Sequence, residues 1–427
     1  MKHFKVLPLA AIIATSMASF ASTAETDVAS LEKRIQELET KLETNYFDDQ
    51  QPAVLSSETE VPAGIVFSGY ARYGAHYQGS DAKRVGSFGS LNANATGRLG
   101  NEGNGGEFQF AKAFQSDGGA IWDIVLMMEH WADPSWASDP DIGLKKFYAG
   151  ATNLFESQKD LYIWAGRDFH QRPQTDLNDY FWMSHDGQGA GFYNLDLGGV
   201  KLNVGAVGEI DGGNVSDSGR YAVTTKLHGF NLGETFDLSL YANYGWDSKQ
   251  VDSREKIEAY QVAAELGFLG QKLIVRYADN AKDSVLYSYA VAEDQNALLV
   301  QFDGGQSLTD RAGIQYSVGY QSLDVSGSES RVNYHAIVRP TYQWDDVHST
   351  WFEAGYNVVD YKDFDAQNSS WKATVSQNMA IGGETWSRPM LRFYATVGNQ
   401  DNEFTGVNED PTDLDTLTVG AMFEAWW

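Results

Sequence analysis

From residue 64 onward the hydrophobic positions of the chain recur at every second residue. In the last segment Leu417, Val419, Ala421, Phe423, Ala425 and Trp427 share one face, and Thr418, Gly420, Met422, Glu424 and Trp426 share the other. Leu391, Phe393, Ala395 and Val397 alternate in the same way with Met390, Arg392, Tyr394 and Thr396, as do Phe236, Leu238, Leu240 and Ala242 with Asp237, Ser239, Tyr241 and Asn243. A period of two is that of a strand with one apolar and one polar face. Connections alternate between short and long. Leu195 to Leu202 turns through Gly198-Gly199, a pair that tolerates positive φ, and so predicts a tight hairpin. Asp211 to Gly219 and Asp401 to Asp415 are polar and predict loops on the opposite rim. The pattern predicts an all-β, antiparallel transmembrane barrel over 64–427. Dividing that stretch among 18 strands leaves about 20 residues per strand plus connection, and 16 strands fit nearly as well.

The first 63 residues follow other rules. Met1 to Ala24 carries Lys2 and Lys5, an apolar run to Ile13 and a small-residue exit at Ser22-Thr23-Ala24, the plan of a secretory signal peptide (1–24). In 25–44, Val28, Leu31, Ile35, Leu38 and Leu42 fall at intervals of three and four, which predicts a short coiled-coil helix or a lone amphipathic one. Two heptads are marginal alone, so a coiled coil here needs another contact between chains. Residues 45–63, with Pro52 and Pro62, read as a linker.

Composition sharpens this picture at three points. The chain has 22 Tyr, 22 Phe and 12 Trp, more rings than a soluble core needs, and a terminal outward aromatic at Trp427. Removing Lys2 and Lys5 with the signal peptide takes the net charge from -27 to -29, which argues against a nucleic-acid partner. Zero Cys leaves neither a disulfide framework nor a thiolate site. Beyond residue 24 no apolar run approaches the roughly 18 residues of a spanning helix, so any crossing of a membrane uses strands.

Several segments, in order along the chain, resemble the maltoporin family. They are Phe67-Ser68-Gly69-Tyr70-Ala71-Arg72-Tyr73-Gly74, Gly97-Arg98-Leu99-Gly100-Asn101-Glu102, Trp164 to Arg172, Asp179-Tyr180-Phe181-Trp182, Gly187 to Gly191, Trp386-Ser387-Arg388-Pro389 with Arg392, and Glu424-Ala425-Trp426-Trp427. The resemblance implies a homotrimer of 18-stranded barrels, crossing the lipid and lipopolysaccharide of a bacterial outer membrane. It also implies facilitated diffusion of maltose and maltodextrins without a cofactor, and some sucrose-porin relatives carry an N-terminal coiled coil. A sucrose or other oligosaccharide porin and a non-selective porin are the nearer alternatives.

Such a channel pairs an aromatic strip with a polar track, since a sugar buries its C–H faces on flat rings while its hydroxyls need partners at the rim. Each subsite must bind weakly, or flux stops. Carried over, the strip is Tyr70, Trp136, Trp386 and Trp426, with Phe268 a shifted substitute for a family phenylalanine that aligns near Gly270. Parity alone also sends Trp426, and Trp386 with Arg388 and Arg392, to the lumen. Where the family's second strand has a tyrosine, Gly105-Gly106 precede Glu107. The track is Arg72, Arg98, Glu107, Arg172 and Asp179, with Lys145 or Lys146 near another family arginine. Gln174 replaces an expected acid, and Phe181 holds the constricting tyrosine position without the hydroxyl.

An enzyme in a barrel, or an adhesive barrel that passes nothing, is the competing class. No HExxH, GxSxG or cysteine motif is present. Ser184 and His185 are neighbours, and on a strand they would point to opposite faces. Gly187 to Gly191 has the glycines of a phosphate loop, but Phe192 to Leu195 beyond it predicts strand. Glu209, Asp211 and Asp217 fit a solvated loop or a calcium site.

Overall fold

A computed structural model describes residues 61–132, 142–209, 219–233, 235–248, 256–326 and 329–427. The expected signal peptide and helix, all but the end of the linker, Trp136, Asp211 and Asp217 lie outside the described residues.

Among the described residues the strands are β1 (Ile65–Gln78), β2 (Asn104–Gln115), β3 (Ile121–Ala132), β4 (Gly143–Thr152), β5 (Tyr162–Asp168), β6 (Gln174–Thr175), β7 (Tyr180–Phe181), β8 (Gly187–Asp196), β9 (Lys201–Glu209), β10 (Arg220–Leu232), β11 (Phe236–Asp247), β12 (Glu258–Phe268), β13 (Gln271–Ala281), β14 (Val291–Ser307), β15 (Ala312–Val325), β16 (Arg331–Gln343), β17 (His348–Tyr361), β18 (Ala366–Ala380), β19 (Met390–Asn402) and β20 (Thr412–Trp426). Each pairs antiparallel with the next, except that β6 and β7 form a separate ribbon and β5 pairs with β8. β20 returns to β1, with Tyr70 opposite Trp426 and Gln78 opposite Thr418. The ring of pairings closes an 18-stranded barrel and settles the choice between 16 and 18. Closure leaves no unpaired edge, the condition for crossing lipid with strands.

Both ends of the barrel segment lie at the rim of short turns, where Leu269 (φ 48°) and Gly270 (φ 76°) alone join β12 to β13. Gly198 and Gly199 turn β8 into β9 with φ of 91° and 116°, as the Gly-Gly pair predicts. In outer-membrane barrels this rim faces the periplasm and the longer loops face outward. The expected loop over 401–415 is shorter than its polar sequence suggests. Asn402 pairs with Thr412 and Asp401 with Asp413, because β19 and β20 run on past the apolar band, with Asp401 and Asp413 exposed on one face and buried Asn402 accepting from the Phe88 N–H on the other.

Outward positions carry the apolar band, with Leu417, Val419, Leu391, Phe393 and Val397 all exposed. At the short-turn rim Trp427 packs 5.3 Å from Phe67 and 5.9 Å from Phe108, an interfacial aromatic girdle. Phe268 belongs to this girdle and not to the lumen, a correction to its place in the aromatic strip. It shares parity with exposed Tyr260 and Val262, while Gln261, Ala263 and Glu265 are buried on the other face. Its ring stands 5.6 Å from Phe236 and 6.1 Å from Phe302. A one-residue slip reverses the face of a strand residue, so proximity in sequence to Gly270 does not transfer the role.

Two loops fold into the lumen and meet there. The β1–β2 loop (79–103) buries Leu99 against Trp351, Ala380 and Met390 of one wall. The β5–β8 loop (169–186) carries the β6–β7 ribbon and buries Tyr180, Trp182 and Met183 against Tyr241, Ala263, Ile274 and Leu299 of another. Asn94 N–H donates to the Asn178 carbonyl and Arg98 N–H to that of Leu177, each at 2.8 Å. Backbone bonds thus tie one loop to the other across the channel.

Candidate functional site

Strand alternation sets the first residues of the site. β1 turns Tyr70 and Arg72 inward, and β20 does the same for Glu424 and Trp426. The Tyr70 hydroxyl donates to Glu424 Oε1 at 2.9 Å, and Arg72 Nη2 meets Asp179 Oδ2 of the inward loop at 2.7 Å. Trp386 lies in the 381–389 connection and not on a strand, so its place does not come from parity. Its ring nevertheless stands 6.4 Å from that of Trp426, and the Arg388 guanidinium lies 4.2 Å from the Trp426 centroid. Tyr70, Trp426 and Trp386 therefore form a series running down to the short-turn rim. Toward the short-turn rim the lumen opens into a cavity of about 1880 Å³ that Trp386, Gln174 and Asp237 help to line.

Polar residues gather around the second inward loop. Arg172 reaches Glu107 at 3.4 Å and Asp186 at 3.6 Å, and its guanidinium lies 3.9 Å from the Phe181 centroid and 4.1 Å from that of Phe169. The Phe181 ring is thus covered on one side by a cation. Gln174 donates to Asp179 Oδ1 at 2.6 Å, which turns the residue replacing an acid into a support for one. A register shift between Met127 and Met128 lets β4 turn both lysines inward. Lys145 pairs with Glu129 at 2.9 Å, while buried Lys146 lies 3.7 Å from Asp168 beneath Phe169.

Two carboxyls of the inward loop titrate in opposite directions. Burial raises Asp179, but Arg72 and Arg98 outweigh it and hold the carboxyl below its ordinary value. Burial also raises Asp186, and there the more distant Arg172 offsets it only in part, so the carboxyl is pushed up to about 6. Asp186 is therefore charged well above about pH 6 and neutral well below it. A unit charge acts on an ion about 4 Å away with about 1 kcal/mol even in bulk water. Cation preference, read as a reversal potential under a salt gradient, should fall between pH 7.5 and pH 5, and by distinctly less in Asp186→Asn. An equal fall in both would place the titration elsewhere.

A second polar cluster joins residues that the sequence places inward one by one without showing that they meet. Glu424, fully buried, accepts from Arg98 at 2.8 Å, Arg388 at 2.5 Å and Arg392 at 3.0 Å. Asp176 bridges Arg98 and Arg339, Glu353 bridges Arg339 and Lys372, and Arg392 meets Glu102 at 2.6 Å. Inward parity on β16 to β20 marks several of these residues. Their partners on loops and turns leave no periodic signal.

Other chemistries find different surroundings. Ser184 and His185 lie in loop and not on a strand. Ser184 shares a hydrogen bond with the Tyr287 hydroxyl, and His185 Nε2 accepts from the Val285 N–H, so the two do not form a dyad. Gly187 to Gly191 open β8, as the strand reading expects. Glu209 accepts from Ser288 N–H and its hydroxyl.

Residues 65–427 match the family model described as LamB porin. A protein named Maltoporin from Vibrio cholerae serotype O1, strain El Tor Inaba N16961, is 27% identical over 414 residues, covering 85% of this chain and 95% of its own. The Maltoporin of the Classical Ogawa 395 strain is also 27% identical, with 94% of its length covered. Among solved structures, Pseudomonas aeruginosa OccK3 (OpdO) aligns with a TM-score of 0.47 at 14% identity, covering 85% of this chain and 96% of that one. The outer-membrane expressed OmpT of Vibrio cholerae aligns at 0.42 and 10% identity, over 86% and 100%. The barrel assignment rests on the strand pairing itself, and the match over 65–427 fixes the lineage: the chain belongs to the LamB porin family.

Proposed function

We propose that the protein is an outer-membrane channel for maltose and maltodextrins, working by facilitated diffusion as a homotrimer, with no covalent step. The observation that carries this reading is the inward series Trp386, Trp426 and Tyr70, flanked by Arg388, Arg72 and Glu424. Stacked rings bury the C–H faces of successive glucose units, and the guanidinium and carboxylate groups alongside exchange hydrogen bonds with their hydroxyls. Trp136, Arg98 and Lys145 belong to the same proposed path by family position. Three subsites in series favour a longer chain over a single sugar, because its units are already linked.

Ion current through the purified protein in a planar bilayer, titrated with maltose, maltohexaose and sucrose, tests this directly. Saturable block should tighten from maltose to maltohexaose. Conductance without block would make the protein a non-selective porin, and tighter block by sucrose would change the substrate. Trp426→Ala and Trp386→Ala should each weaken maltohexaose block about tenfold, the equivalent of about 1.4 kcal/mol, with ion conductance largely kept.

A further inference from the structure

The second strand lacks the inward ring that the family resemblance leads one to expect, and the structure has a ring at that place from a different strand. Trp131 stands next to the end of β3, on the side of Asp123, Val125 and Met127, which are buried, and opposite exposed Trp122 and Ile124. Parity therefore sends it to the lumen, away from the outward girdle. In register it faces Gly105, which in turn faces Arg72. A Cβ on residue 105 would run into Cε3 of the Trp131 ring, so the indole occupies the space that a side chain there would need. The ring stands 6.3 Å from Tyr70, close to the 6.4 Å between Trp426 and Trp386. The Arg72 guanidinium lies 5.2 Å from the Trp131 centroid and 5.9 Å from that of Tyr70, so one cation serves both rings. Although inward-facing, Trp131 remains 40% exposed. An indole that is packed on one side and wet on the other is the state of a stacking platform.

We infer that Trp131 is a further stacking subsite of the channel, beyond Tyr70 toward the long-loop rim, supplying from β3 the ring that is missing from β2 at Gly105. This rests on the sugar-channel reading and adds one residue to it. Trp131 is two positions further toward the long-loop rim than Tyr70 in the β1 and β2 registers. A sugar chain arriving from that rim meets Trp131 before Tyr70, and only a chain long enough to reach it while lying on Tyr70 and Trp426 uses it. Gly105 is then a requirement of the site, since a larger residue displaces the ring.

The test is sugar-induced current block by maltose and maltohexaose in the parent, Trp131→Ala, Trp131→Phe and Trp426→Ala. Trp131→Ala should loosen maltohexaose about fivefold while changing maltose less than twofold, and Trp131→Phe should recover most of the loss. Trp426→Ala should weaken both sugars. If Trp131→Ala bound maltohexaose like the parent while Trp426→Ala did not, the inference would be overturned and the sugar path would stand. An equal loss for both sugars in Trp131→Ala, unrelieved by Phe, would make the residue structural and also overturn it. A parent channel that no sugar blocks would remove the path and the subsite together.

Discussion

Glu424→Ala barrels should collapse in dodecyl sulfate at a much lower temperature than the parent. Glu424 is fully buried and holds Arg98, Arg388 and Arg392 together, with the Tyr70 hydroxyl as a fourth donor. Removing the carboxylate leaves three guanidinium groups close to one another, of which Arg392 keeps Glu102 and Arg98 keeps Asp176. Breaking a buried pair by deleting one partner costs about 3–5 kcal/mol, since the remaining charge is neither solvated nor matched. Glu424→Gln should recover little, because an amide keeps the shape and loses the charge. The measurement is the temperature at which the folded, fast-migrating band disappears from a gel. A parent-like temperature in Glu424→Ala would mean that water in the lumen solvates the arginines and that the cluster adds little.

The second large effect concerns the inward loop. Trp182 is fully buried, edge-on to Tyr241 at 5.5 Å, and its carbonyl accepts from Arg276. Trp182→Ala opens a void under the β6–β7 ribbon at a cost of about 3–5 kcal/mol, carried mostly by the loop and not by the barrel wall. Single-channel conductance should rise and become noisier, and maltohexaose block should weaken because Phe181 and Arg172 lose their fixed positions. Unchanged conductance with unchanged noise would assign the anchoring to the polar contacts of Asp176 and Asp179.

Much of the wall is legible from one line of sequence. Leu417, Val419 and Phe423 face lipid, and Glu424 and Trp426 face the lumen, as alternation requires, because a closed barrel gives every strand the same two environments. Of the expected polar track, Arg72 pairs with Asp179 and Arg172 with Glu107. Phe268 was misplaced because alignment fixes distance along the chain while the face depends on parity. Trp131 went unnoticed for a related reason: in Met127-Met128-Glu129-His130-Trp131 the two faces differ little in polarity, so the alternation that points the indole inward is masked. Glu424 was visible as an inward acid. Its three arginines come from a loop, a turn and a neighbouring strand, a convergence that only the closed ring of strands brings about.

The first loop is fastened by the far end of the chain. Arg98 is held by Glu424, Leu99 N–H by Glu353, and the carbonyls of Gly97 and Leu99 by Lys372. None of these partners is in place until the last strands are seated, and contacts so distant in sequence form late. A barrel still open at its seam consequently leaves Glu424, the partner of Arg98, on a strand not yet joined to β1. The pairing of β20 with β1 that removes the last open edge of the wall is therefore also the contact that completes the hold on the loop inside it.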